Sequence, residues 1–158
     1  MTDFENAIKV MTDLFSKDYQ FALATCDNNI PSLRFVDTYF DGYAFYIVTY
    51  ALSQKVRDIA GNSNVSLCSR RMYSFSGIAD NIGHPLMPVN AQIRDTLIKA
   101  FEPWYFMHND ESDSNMCYLK IQPATGFFHK DGTGYKINFI EKTVETFPFA
   151  CDIGYTEE

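Results

Sequence analysis

Short strand-like segments joined by brief connections dominate this sequence, and they restrict its fold more than any other feature. Aromatic and β-branched residues fill these segments, and turn sequences such as Asp27-Asn28-Asn29 and Asp131-Gly132 separate them. Most connections are too short for the crossover helix that a parallel pair of strands needs. The pattern therefore favours a small antiparallel barrel over a doubly wound sheet. The expected strands are 19–26, 30–39, 43–49, 64–70, 73–82, 116–122, 125–130 and 134–140, with a further short strand over 143–149.

Amphipathic segments predict three helices beside these strands. Each repeats its apolar residues at the spacing of one helical face, and Pro103 ends the last of them. The expected helices are 2–17, 53–60 and 90–101, and an acidic loop over 108–115 follows the third. We therefore expect a mainly β fold, a β-barrel with flanking helices, in a single domain over residues 1–158.

The charge balance restricts the partners of this chain. Its formal net charge is −7, and no run of Lys or Arg interrupts the acidic composition. Nucleic acids and anionic membrane surfaces bind to basic faces, so neither is expected as a partner. No apolar segment approaches the roughly 20 residues that cross a bilayer. The acidic N-terminus does not resemble a signal peptide.

Cysteine and histidine are placed too sparsely to indicate a metal site. The four cysteines are scattered without a C-x-x-C pair, which fits a reducing cytoplasm. The three histidines, His84, His108 and His129, are far apart in sequence. We therefore expect a cytoplasmic protein without a bound metal.

The stretch over residues 40–62 carries the clearest candidate for a ligand site. A strand here leads into a helix whose first turn contains Ser53, Gln54 and Lys55. The first N–H groups of a helix have no partner within it and carry partial positive charge. Lys55 adds a full charge, and this combination suits a phosphate. A helix-capping Ser53 with a solvated Lys55 is the simpler alternative, which the segment alone leaves open.

The order of motifs resembles the FMN-binding split-barrel family, the group related to pyridoxamine 5′-phosphate oxidase. The resemblance extends over residues 5–140 and rests on Arg34-x-Val36, then Thr49-x-x-x-Ser53-x-Lys55, then a short helix, Asn62 and a strand. Each element is common, but their order and spacing together are specific. The resemblance implies a six-stranded antiparallel split barrel of the FMN-binding type. It also implies a homodimer with FMN in a groove at the dimer interface.

Carried over residue by residue, the resemblance implies a set of cofactor-binding positions. Residues 34–36 would follow one edge of the isoalloxazine ring, largely through their backbone, and residues 49 and 50 would lie beside the ring and ribityl chain. Residues 53–55 would hold the phosphate, and an aromatic residue at 127 or 128 would supply a flat face. The expected cofactor-binding residues are Arg34, Phe35, Val36, Thr49, Tyr50, Ser53, Gln54, Lys55 and Phe128.

Three departures from the family pattern affect function. Gln54 stands where many relatives have an Arg, which removes one charge that Arg34 could replace. The sequence TGFFHK over 125–130 replaces a strand that carries a Trp in many relatives. No Arg or His follows His129, whereas the phosphate-ester oxidases end in a basic motif that grips the substrate phosphate. A true pyridoxamine 5′-phosphate oxidase is therefore not expected.

The resemblance implies flavin-dependent oxidation–reduction of a small molecule, with a nicotinamide nucleotide as a candidate electron donor. The residues do not identify the substrate or a catalytic side chain, and they leave a deazaflavin open as the cofactor. Two other classes remain open. One is a haem-binding or haem-degrading barrel with His84 or His129 as iron ligand, and the other is a non-catalytic flavin carrier or sensor.

Overall fold

A computed structural model describes residues 1–154 and consists mainly of β-strands. The bounds of its elements follow the sequence pattern closely. The helices are α1 (Asp3–Phe15), α2 (Gln54–Gly61), α3 (Ala91–Ala100) and α4 (Tyr105–His108). The strands are β1 (Tyr19–Asp27), β2 (Ile30–Phe40), β3 (Phe45–Tyr50), β4 (Asn64–Cys68), β5 (Ser74–Gly83), β6 (Met116–Lys130), β7 (Thr133–Asn138) and β8 (Thr143–Pro148).

Six antiparallel strands close into a barrel. The strands lie in the order β3-β2-β1-β4-β5-β6, and β3 also pairs with β6, which closes the ring. Strands β7 and β8 extend the sheet outward from the second half of β6. The predicted six-stranded antiparallel barrel is therefore confirmed, and two outer strands are added to it.

One long strand, β6, replaces the two strands predicted over 116–122 and 125–130. Pro123 indicated a break because it cannot donate a backbone hydrogen bond to a neighbouring strand. In the structure Pro123 pairs with Gly77 next to a shift in register between Ser76 and Gly77. A Cβ atom on Gly77 would lie 2.2 Å from the carbonyl oxygen of Gln122. The strand therefore continues through Pro123 because a glycine faces it.

The strand predicted over 43–49 begins two residues later, and a side chain explains the delay. The Asp41 carboxylate accepts hydrogen bonds from the backbone N–H groups of Tyr43 and Ala44, both at 2.8 Å. These bonds hold the residues in a turn, so pairing with β2 begins only at Phe45. The helix predicted over 2–17 starts as expected, with Thr2 and Glu5 forming a capping box.

Aromatic rings fill the barrel, and α1 contributes the central one. Phe15 is fully buried and contacts the rings of Phe21, Phe45 and Phe75 at centroid distances of 5.4, 5.9 and 5.6 Å. Ring pairs in tilted or edge-to-face geometry add to the energy of apolar burial. The first helix is therefore part of the barrel core.

A second apolar cluster covers the outside of β3 and β6. Side chains that alternate outward from these strands, including Tyr46 and Tyr118, pack against Leu97 and Phe101 of the α3 region. Trp104 stacks on Phe101 at 4.6 Å, and its indole N–H donates to Asp18 at 2.7 Å. Trp104 is therefore a packing residue at the end of a helix.

None of the helices within residues 1–154 is both long and apolar enough to cross a membrane.

We expect Phe15→Ala to lower the free energy of unfolding by about 3–5 kcal/mol, because it leaves a cavity among packed aromatic rings. Urea denaturation measures the change. The control is Phe106→Ala, which removes a ring that is 58% exposed and should cost less than about 1 kcal/mol. Equal losses in the two variants would contradict this description of the core.

Candidate anion-binding site

Helix α2 lies over one end of the barrel, directly after β3. The chain leaves β3 at Tyr50, makes a turn in which the Ser53 N–H donates to the Tyr50 carbonyl, and starts the helix at Gln54. Val56 and Ile59 face the barrel and are buried. This packing fixes the helix N-terminus beside the ends of β1, β2 and β3.

The first turn of α2 lacks the side-chain cap that the sequence predicts. Ser53 occupies the N-cap position with extended backbone, but its hydroxyl makes no hydrogen bond to the helix. The hydroxyl lies 3.5 Å from that of Thr49 instead. The expectation of a capping bond from Ser53 is therefore wrong. The N–H groups that such a bond would have satisfied stay available to a ligand.

Lys55 is the cation of this site that has no partner within residues 1–154. Its side chain is half-buried, yet it makes no hydrogen bond or ion pair with any of residues 1–154. Burial, and then the positive charge of nearby Arg34, lower the pKa of Lys55, while the neighbouring Cys117 thiol opposes this shift. Burial also raises the pKa of Cys117 to about 11, so the thiol stays neutral. The site therefore contains a cation without a compensating anion.

Arg34 is held by a buried polar network that the sequence did not reveal. The Thr25 hydroxyl donates to the Asp58 carboxylate at 2.7 Å, and an Arg34 N–H donates to the same hydroxyl oxygen at 2.7 Å. Arg34 and Asp58 also form an ion pair at 3.7 Å. Asp58 therefore balances the charge of Arg34, and Arg34 is a poor substitute for the Arg that Gln54 replaces.

The remaining predicted residues are distributed around this centre. Gln54 donates its side-chain N–H to the Ser32 hydroxyl at 3.0 Å, which directs it toward β2. Val36 is buried within the barrel, whereas Phe35 points outward with 67% of its surface exposed. The Tyr50 hydroxyl accepts a bond from the Asp110 N–H at 3.2 Å. The structure thus brings Arg34, Thr49, Ser53 and Lys55 together, and it places Phe35 on the outer surface.

Phe128 lies outside this group. Its side chain is fully buried in the core and stacks on Tyr135 with ring centroids 4.9 Å apart. A ring with no exposed face cannot stack on a ligand, so the expected role does not suit Phe128. Its neighbour Phe127 is on the opposite face of β6 and stacks with Phe147 at 6.0 Å. Because successive side chains of a strand point to opposite faces, Phe127 faces away from the core. The sequence alone did not decide which of the two phenylalanines does so.

The two histidines considered as iron ligands are both engaged. Nδ1 of His84 accepts from the Leu86 N–H and Nε2 lies 3.1 Å from the Asp113 carbonyl oxygen, to which it donates. Nε2 of His129 lies 2.8 Å from the Arg71 carbonyl, and its ring packs between Tyr73 and Phe149. His84 would have to give up one of its hydrogen bonds to bind a metal, whereas Nδ1 of His129 makes no hydrogen bond within residues 1–154.

The family of the chain is shown by its sequence. Residues 8–130 match the family described as pyridoxamine 5′-phosphate oxidase. The chain belongs to this family. The matched segment runs from α1 to the end of β6, so it contains the whole barrel and the α2 site. The resemblance inferred from the motifs at Arg34, Thr49 and Lys55 is confirmed.

Solved structures agree with this assignment at the level of the fold. General Stress Protein 26 from Bacillus anthracis str. Sterne is 19% identical, with a TM-score of 0.58 over 77% of this chain and 92% of that one. An F420 reductase is 17% identical, with a TM-score of 0.54 over 73% and 94%. The haem storage protein HutZ from Vibrio cholerae is 14% identical, with a TM-score of 0.60 over 89% and 99%. No curated protein matches the sequence significantly.

We expect Thr25→Val to lower the free energy of unfolding by about 1–3 kcal/mol, because Asp58 and Arg34 each lose a buried hydrogen-bonding partner. Urea denaturation measures the loss. Thr143→Val is the matched control, since Thr143 is exposed on β8 and the substitution should be nearly neutral there. If Thr25→Val were as mild as the control, the network would not anchor α2.

Proposed function

We propose that this member of the pyridoxamine 5′-phosphate oxidase family is an FMN-binding flavoprotein and an oxidoreductase that acts on a small organic molecule. The observation that carries the proposal is Lys55, a half-buried cation that no residue from 1 to 154 pairs with, beside an uncapped helix N-terminus. A phosphate group would supply the missing anion. Free N–H groups, a hydroxyl and an ammonium form the donor set that phosphate binding needs.

The residues of the α2 site fit the phosphate end of FMN. Lys55 would pair with the phosphate, the Ser53 hydroxyl would donate to it, and the first N–H groups of α2 would face it. Arg34 would stay bonded to Thr25 and Asp58, which leaves Lys55 as the cation that meets the phosphate. Gln54 would contribute one neutral hydrogen bond if it left Ser32. This site therefore has one fixed charge fewer than that of many relatives.

The backbone of β2 over residues 34–36 would follow the edge of the flavin ring, and Thr49 and Tyr50 would flank the ribityl chain. When bound, FMN supplies the redox chemistry, because its ring accepts a hydride or passes single electrons. The protein's own contribution is to place the ring, exclude water from it and set the local charge. No side chain in this group needs to act as a general acid or base.

We propose that two copies pair through the outer face of β2, β1 and β4. Leu33 and Phe35 project from β2 with exposed fractions of 71% and 67%. Small side chains lie beside them in register, with Ala24 next to Leu33 and Ala22 next to Phe35. Two large apolar residues beside a flat surface form the kind of patch that a second molecule covers. The family membership and this patch support the proposal of a homodimer with FMN at this interface.

The substrate is a small molecule, with NADH or NADPH as the proposed electron donor. A phosphate-ester substrate is disfavoured because no Arg or His follows His129 in the sequence.

A cytoplasmic location is proposed from the thiols, since Cys26, Cys68 and Cys117 form no disulfide.

Haem binding is the competing function, because the haem storage protein HutZ shares this fold. The hydrogen bonds to both ring nitrogens of His84 argue against this residue as the iron ligand, whereas His129 could bind iron through Nδ1. The visible spectrum of the protein mixed with each cofactor separates the two functions, since haem gives a Soret band and FMN gives a flavin spectrum. A flavin carrier would bind FMN but leave it oxidised after addition of NADH or NADPH.

We expect Lys55→Ala to weaken FMN binding by about 10- to 150-fold, since it removes a hydrogen bond that involves two charged groups. Quenching of flavin fluorescence measures the dissociation constant. The control is Lys9→Ala, which removes an exposed cation from α1 and keeps the same net charge as the test variant. Unchanged binding in Lys55→Ala would remove the basis of the proposed function.

We expect the unmodified chain to sediment at twice its monomer mass of 18.1 kDa, and Phe35→Glu to sediment as a monomer. The variant would bury a charge in the proposed interface. The free-energy cost of burying that charge is far larger than the free energy that apolar contacts there contribute. Phe106→Glu is the control, because Phe106 is similarly exposed but lies on α4. A dimer that survives Phe35→Glu would place the interface elsewhere.

A further inference from the structure

We infer that a groove between α3 and the outer face of β3 and β6 binds a small aromatic carboxylic acid. The groove has a volume of about 630 Å³, and its floor and walls come from β2, β3, β5, β6 and α3. It shares strand β2 with the proposed pairing face, but its other strands, β3, β5 and β6, lie outside that face. Six of its lining residues carry the argument: Tyr39, Tyr46, Ile82, Gln92, Ile93 and Lys120.

The walls of the groove suit a flat apolar body. Ile82 and Ile93 line it on the side of β5 and α3, and the rings of Tyr39 and Tyr46 line it on the side of β2 and β3. Tyr39 and Tyr46 are directly paired across the two strands, so both belong to the same part of the groove wall. Aromatic and aliphatic walls with a few polar groups are typical of small-molecule sites.

A lysine without a partner supplies the charge. Lys120 of β6 is half-buried and sits between Tyr46 of β3 and Asp80 of β5 in the sheet. It makes no hydrogen bond or ion pair with any residue from 1 to 154, Asp80 included. The side chain therefore has three free donors at the edge of an apolar groove.

The other polar groups of the groove include donors that a ligand could use. Oδ1 of Asp41 accepts from the N–H groups of Tyr43 and Ala44, and the carboxylate lies near Tyr46. Burial first, and then this Asp41 contact, raise the pKa of Tyr46 to about 12, so its proton stays in place. The Tyr39 hydroxyl and the Gln92 amide have no bonded partner among the described residues and remain able to donate.

Donors around an apolar groove select the chemistry of the ligand. A carboxylate accepts from an ammonium, a phenol and an amide at once, and its charge offsets that of Lys120. An aromatic ring next to the carboxylate would stack on the half-buried ring of Tyr39. A phosphate is less suitable, because its second negative charge would have no cation and would meet Asp41 at the rim.

Benzoate is the probe, titrated into the isotopically labelled full chain with and without FMN and followed by amide NMR shifts. We expect saturable binding with a dissociation constant of about 1 mM or below, and shifts centred on Lys120 and Ile93. Benzamide, which has the same shape but no charge, should bind about 10-fold more weakly or worse. Acetate should bind more weakly than benzoate because it lacks the ring.

Two variants test the assignment. Lys120→Met keeps the apolar stem and should weaken benzoate binding by about 10-fold or more, and Tyr39→Phe should weaken it by a smaller factor. Lys99→Met, at an exposed position on α3, is the control and should bind benzoate normally. Equal binding by Lys120→Met and the unmodified chain, shifts confined to the α2 site, or no saturation at about 10 mM would overturn the proposal. Each result is independent of FMN binding, because the groove is also tested in the FMN-free chain.

Discussion

The position of the second helix depends on the buried carboxylate of Asp58. A charged group placed in the end of a barrel is costly unless it is paired and hydrogen-bonded. Thr25 of β1 and Arg34 of β2 provide these partners, so one carboxylate joins α2 to two strands. The apolar contacts of Val56 and Ile59 hold the helix on the barrel, but contacts of this kind are not directional. The hydrogen bonds and the ion pair of Asp58 are directional, so they set the orientation of α2 on the barrel and the position of its first residue.

The first turn of α2 consequently lies at one end of the barrel. The positive charge of Lys55 in this turn is not paired with any acidic side chain within residues 1–154. Asp58 balances Arg34, whereas Lys55 is left with a neutral thiol and a second cation as neighbours. A protein that needed only stability would gain by pairing or exposing this lysine. Burial and the nearby charge of Arg34 lower the pKa of Lys55, because both make its charged form less favourable in the free chain. Such a charge is expected where a ligand supplies the opposite sign.

The barrel was predictable from sequence because each strand carries its own local signals. Buried and exposed side chains alternate along it, and turn residues mark its ends. The sequence predictions failed where a contact between distant parts of the chain determines the local structure. Pro123 indicated a break, but its effect depends on Gly77, which lies in another strand. Phe127 and Phe128 are equally aromatic, and only the pairing of β6 with β7 decides which one is buried.

The site was predictable in part for the same reason. Ser53 and Lys55 are adjacent to a local signal, the start of a helix, and the motif order identified them. Asp58 and Thr25 have no local signal, since they are 33 residues apart and meet only when α2 packs on the barrel. The missing cap of Ser53 also depends on Thr49, whose orientation follows from the closure of β3 against β6.

The most direct test of this account is the pKa of Lys55 in the free chain and with FMN, measured by NMR on isotopically labelled lysine. The Lys55→Arg variant, which lacks the signal, assigns it. We predict a pKa below the ordinary value of 10.5 in the free chain and a rise when FMN binds, because an anion favours the charged ammonium. By linkage, FMN affinity should then fall as the pH rises past the free-chain pKa. A Lys55 pKa that FMN saturation leaves unchanged would contradict the claim that this lysine meets the phosphate.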